Sequence, residues 1–168
     1  MKKNFFLFFL TIFLAIAGVS AVFAAEQTYT LKTGISIDKV PKEFYGTWRV
    51  TSKVLTSTGD GIFKGSCVDL WNLSRVGNVI TLDNPFSGAH ASITVDEVSD
   101  RLIRFSKVGD FDGNKLTDTV ELTLGKESFT GKNYLKLDTI SATDGHVIKS
   151  DKATYQLRGE KLSGASIK

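Results

Sequence analysis

The sequence predicts an all-β fold: an antiparallel meander closed into a single barrel of about eight strands, with a β-sandwich as the alternative. Three observations lead there. Beyond Ala24 the chain holds 16 Thr, 11 Val and 9 Ile but only six Ala and six Glu, so strand formers are abundant and good helix formers scarce. Gly recurs at short intervals while Pro is confined to Pro41 and Pro85, the punctuation of many short strands and tight turns. Apolar and polar residues alternate with a period of two over several stretches, which faces one set inward and the other to water.

The elements follow in order. Met1-Lys2-Lys3-Asn4 is a short positive start, Phe5 to Ala17 is apolar apart from Thr11, and small residues cluster from Gly18 to Ala25. That order is a secretory signal peptide, drawn as a helix over 1–24 with cleavage after Ala24. An uncleaved anchor is the alternative. No Cys stands at the cleavage point, so a lipoprotein is excluded, and bacterial export to the periplasm or the medium is the expected destination. No later apolar stretch approaches membrane-spanning length. Residues 25–42 read as an N-terminal arm or edge strand, and 43–168 as the barrel domain. A helical turn is expected over Pro41 to Tyr45.

Strands are expected near 47–57, 66–75, 78–83, 91–98, 101–108, 116–124, 127–131, 134–141 and 147–158. Trp48, Val50 and Val54 share one face of the first. Leu116, Val120, Leu122 and Leu124 share a face further on, as do Leu135 with Leu137, and Ala153 with Tyr155 and Leu157. Turn chemistry separates the strands at Gly59-Asp60-Gly61, Gly77-Asn78, Asp112-Gly113, Gly131-Lys132-Asn133 and Asp144-Gly145. So long a meander must cover its edges by closing or stacking.

Composition narrows the function. With 21 Lys+Arg against 18 Asp+Glu the net charge is +3, which gives no reason to expect a nucleic-acid partner. One Cys excludes an intramolecular disulfide framework. There is no phosphate-binding Gly-rich loop, no Gly-x-Ser-x-Gly elbow and no His-Glu-x-x-His, and no enzyme is expected. Cys67 reads as a small buried residue, a nucleophile, or half of an intermolecular disulfide, so the protein is a monomer or a Cys67-linked dimer. His90 and His146 fall in loops.

The segment Glu43-Phe44-Tyr45-Gly46-Thr47-Trp48 resembles the opening of a lipocalin or related calycin barrel. The resemblance implies that Gly46 and Trp48 form the closed base, with a cation from near the last strand, here Arg158, packed over the indole. It also implies an interior able to hold one small apolar or amphipathic ligand, for which Trp71, Phe105 and Tyr134 are the candidate lining residues, with Phe86 and Phe111 beside them. The alternative is an interaction module with a filled core. Separately, Asp110, Asp112, Asn114 and Asp118 stand at positions 1, 3, 5 and 9 of an acidic loop. Hard cations need several oxygens at once, and the string resembles an FG-GAP-type calcium loop. Calcium is thus the one cofactor considered; otherwise none is expected.

Overall fold

The computed structural model describes residues 37–111, 113–164 and 166–167. The expected signal peptide and residues 25–36 of the arm lie outside the described residues.

Two 3-10 turns, Ile37–Lys39 and Lys42–Phe44, precede the strands, the second within the expected Pro41–Tyr45 turn. The strands are β1 (Gly46–Ser57), β2 (Ser66–Val76), β3 (Val79–Asn84), β4 (Ala89–Ser99), β5 (Leu102–Phe111), β6 (Asn114–Leu124), β7 (Ser128–Ile140), β8 (Val147–Ser163) and β9 (Ser166–Ile167). Each from β1 to β7 pairs antiparallel with the next in sequence. β1 also pairs with β8, from Thr47↔Ser163 to Ser57↔Ala153. That last pairing closes the sheet, so the fold is an eight-stranded meander barrel and not a sandwich. β9 lies parallel to β2 at Ser74 and Arg75, just beyond the end of the β1 ladder.

One expected division between strands is absent, and the last expected strand runs on past 158 to Ser163 with a short β9 after it. Residues 127–131 and 134–141 are not two strands joined by a turn at Gly131-Lys132-Asn133. β7 runs straight through, pairing Gly131 with Leu122 and with Leu157. A Cβ at Gly131 would overlap the Glu121 carbonyl, so this glycine lets neighbouring strands approach closely instead of turning the chain.

Inward positions carry the core. Trp48 and Val50 of β1, Leu73 of β2, Ile80 and Leu82 of β3, Ile103 and Phe105 of β5, Val120 and Leu122 of β6, and Leu157 of β8 are all buried. Outward positions on the same strands are exposed or half-buried, among them Arg49, Thr51 and Lys53, and Gln156, Arg158 and Glu160. This polar outer surface is the reverse of the apolar band on a lipid-facing barrel. Among the described residues no helix is long and apolar enough to cross a membrane.

One end of the barrel is solid. Phe44 packs edge-on to Phe105 at 5.7 Å and Trp48 lies 5.1 Å from Phe129. Trp71 sits above them, 6.4 Å from Phe105 and 6.0 Å from Phe129. Each such pair contributes about 0.5–1.5 kcal/mol beyond burial. Ile37 and Val40 join the same core, so packing begins within the expected arm. Gly159 makes room: a Cβ there would fall inside the Phe129 ring. Gly46 has φ +121, and any side chain on it would strike the Gly164 carbonyl, which explains glycine two residues before Trp48.

The base is latched by Lys161, not Arg158. Lys161 Nζ lies 4.9 Å from the Trp48 ring centroid and donates to the Glu43 carbonyl at 2.5 Å. Trp48 Nε1 donates to the Phe44 carbonyl at 2.9 Å. First strand, last strand and 3-10 turn are thereby tied together. Arg158 points outward opposite Thr51 and is exposed. The physical reason is parity: Tyr155, Leu157 and Gly159 face inward, so an odd-numbered residue can reach the indole and an even one cannot.

Candidate functional site

The strand order puts the β1–β2, β3–β4, β5–β6 and β7–β8 connections at the end opposite the base. Below them the barrel is not filled. A cavity of about 300 Å³ opens there, with Trp71, Leu82, Val50 and Leu157 among its apolar walls and Phe63 from the β1–β2 loop beside its mouth. That volume is at the lower limit for ligand pockets, about ten waters' worth of space.

Inward parity supplies its polar groups too. On β2, Cys67, Asp69 and Trp71 alternate onto the interior face as one series. Asp69 accepts from Asn84 Nδ2 at 3.0 Å on one oxygen and from the Cys67 thiol at 3.1 Å on the other. Cys67 Sγ also lies 2.9 Å from Ser52 Oγ of β1. Asn84, at the end of β3, uses its Oδ1 to accept the Phe86 amide at 3.0 Å and the Ser87 amide at 3.3 Å, which organises the β3–β4 turn at the rim.

Across the cavity stands a second cluster. Asp118 of β6 accepts from Asn133 Nδ2 of β7 at 2.6 Å and pairs with Lys107 Nζ of β5 at 3.3 Å. Burial pushes the Asp118 carboxyl above the usual carboxylate range, and Lys107 and Asn133 pull it partly back. Tyr155 of β8 donates its hydroxyl to the Lys64 carbonyl at 2.8 Å, holding the β1–β2 loop against the mouth.

Of the expected lining residues, Trp71 forms the cavity floor. Phe105 is wholly buried in the solid base, between Phe44 and Trp71. Tyr134 is a correction: it lies on the outer face of β7, 38% exposed, opposite Thr119 and Thr154. The strand that faces Asn133 and Leu135 inward must turn Tyr134 out. Phe86 is on the surface at the rim, and the Phe111 side chain lies outside the described residues.

The acidic loop is a tight hairpin. Phe111 pairs with Asn114, Asp110 with Lys115, and Lys107 with Asp118. Asp118 is therefore four residues along β6 from Asn114, about 13 Å at strand rise, with its carboxylate in the barrel interior. Asp110, Asn114 and Asp118 do not converge on one centre, and Asp112 lies outside the described residues. Among the described residues no group of three or more His, Cys, Asp or Glu is gathered as metal ligands.

Cys67 is half-buried, and burial pushes its thiol up, away from the thiolate form. It faces the cavity, which leaves a Cys67-linked dimer without support. His90 is bonded to Asp83 and His146 to Asp144, both at the surface. Asp118, expected as a loop ligand, stands instead on the cavity wall; Ser52, Asp69, Asn84, Lys107 and Asn133 join it there, each at an inward position of the alternation that apolar residues alone do not reveal.

Compared with protein-family models, curated proteins and solved structures, the chain matches none. The closed eight-stranded antiparallel barrel is compatible with the lipocalin-like architecture that the Gly46-Thr47-Trp48 segment resembles.

Proposed function

We propose that this protein is an exported carrier that holds one small amphipathic molecule in the barrel mouth. The observation that carries the reading is the division of the interior. The base half is packed with aromatic rings, while the mouth half keeps an open cavity with an apolar floor and hydrogen-bonding groups higher up. A filled-core interaction module would have no use for that asymmetry. Buried polar groups cost stability unless paired, and the clusters around Asp69 and Asp118 are arranged along the walls of the space and not against one another. The neutral, inward thiol and the remote, carboxylate-bonded histidines support binding in preference to covalent catalysis. Export is supported by the basic, apolar and small-residue order of 1–24.

The fluorescence of Trp71 tests this. The chain has two Trp, so Trp48→Phe leaves Trp71 as sole reporter. Titration with 1-hexanol is expected to change its emission saturably, and the Trp71→Phe protein, reporting from Trp48 in the base, is expected to stay flat. A linear, unsaturable response in both proteins would contradict a ligand chamber.

A further inference from the structure

The hydrogen bonds around the cavity divide unequally between donors and acceptors. The Asn84 amide and the Cys67 thiol are turned onto Asp69, the Asn133 amide and Lys107 ammonium onto Asp118, and the Tyr155 hydroxyl onto the Lys64 carbonyl. A carboxylate offers about four lone-pair sites, so Asp69 retains acceptor capacity after its two bonds. The two carboxylates also differ in charge balance. Asp118 faces the ammonium of Lys107, whereas both groups bonded to Asp69 are uncharged. Lys64, the other cation along the cavity, is exposed at the rim. Asp69 stands two residues above Trp71 on the same face of β2, about 7 Å along the strand. A molecule reaching from one to the other would set an apolar body on the indole and a cation or strong donor at the carboxylate.

We infer that the cavity selects a small amine, its ammonium bonded by Asp69 and its apolar body resting on Trp71. This rests on the carrier reading and names the ligand class. An ammonium is complementary to Asp69 because it carries donors and charge but no acceptor, and the two groups already bonded to that carboxylate are uncharged. An amphiphile with a carboxylate head would set like charges against Asp69. Charge-assisted hydrogen bonds are the strong ones, and discrimination here should come chiefly from that one contact.

The test is a matched series, hexylamine, 1-hexanol and hexanoate, titrated into the Trp48→Phe protein at neutral pH with Trp71 emission as readout. Hexylamine is expected to bind about ten- to a hundredfold more tightly than hexanol, the range for a hydrogen bond to a charged group, with hexanoate weakest. Asp69→Asn keeps the shape and should bring hexylamine down to the affinity of hexanol, with hexanol itself little changed. Because the ranking is measured first without any change at Asp69, it stands even if Asp69→Asn folds poorly. Saturable hexanol binding with no advantage for hexylamine, or with hexanoate preferred, overturns the amine inference and leaves the carrier. An amine advantage that survives in well-folded Asp69→Asn also overturns it. Binding by none of the three overturns both.

Discussion

Replacing Lys161 should loosen the barrel at its seam, and replacing Arg158 should not. Lys161→Met keeps an aliphatic stem of similar reach but removes the ammonium. Two contacts are lost: the one over Trp48, 4.9 Å from its centroid, and the 2.5 Å bond to the Glu43 carbonyl. A partly exposed cation–π contact is worth about 0.5–1 kcal/mol. A charged hydrogen bond is worth about 1.5–3 kcal/mol. Partial desolvation of the ammonium holds its pKa below the ordinary lysine value and offsets some of that gain. The net loss should be about 1–3 kcal/mol, a fall in Tm of about 3–12 °C for a domain of this size. Arg158→Met, on the open outer face, should stay within about 0.5 kcal/mol. Equilibrium urea unfolding of both variants decides. A loss at Arg158 equal to or larger than that at Lys161 would refute the assignment of the latch and the parity reasoning behind it.

Further outcomes follow from other contacts. Gly159→Ala places a methyl against the Phe129 ring and should cost about 1–3 kcal/mol by overpacking, read as a lower urea midpoint at unchanged slope; a neutral result would mean that the base is loosely packed. Asp118 has a carboxyl raised by burial, so the folded state holds its proton more tightly than the unfolded chain does. Its contribution to stability therefore declines as pH rises from the ordinary carboxyl value through the raised one, and Asp118→Asn should flatten that part of the Tm profile. An unchanged slope would place Asp118 in water. N-terminal sequencing of protein recovered from the periplasm or medium should begin at Ala25; retention of the full chain in the cytoplasm would contradict export.

Most of the fold is legible because strand parity is a strong local signal. Trp48 and Val50, Val120 and Leu122, and Tyr155 and Leu157 announce which face is buried, and closure follows from having too many strands to leave edges bare. The strand boundary expected at Gly131 is absent because glycine serves turns and close strand approach alike, and only the neighbouring Glu121 and Leu122 distinguish them. Distance from the C-terminus suits Arg158 to the indole, but its even number turns it to the outer face. Parity marks the site in the same way. Ser52 lies between Val50 and Val54, and Asp118 between Leu116 and Val120, on faces already read as inward. Polar residues at such positions are costly in a filled core, which makes them the sequence's own indication of a chamber. What no pattern carries is the pairing across strands, such as Asn84 with Asp69 or Lys107 with Asp118, because register between strands is settled only when the sheet closes.

Native mass spectrometry of the protein purified from its own host tests the carrier account most directly. The account expects a discrete small molecule held without a covalent bond and released on collisional activation. Ala89→Trp, which crowds the cavity wall, should be recovered without it. Protein that emerges at the bare chain mass, alike in both forms and under gentle conditions, would contradict a bound ligand and leave the mouth of the barrel an empty recess.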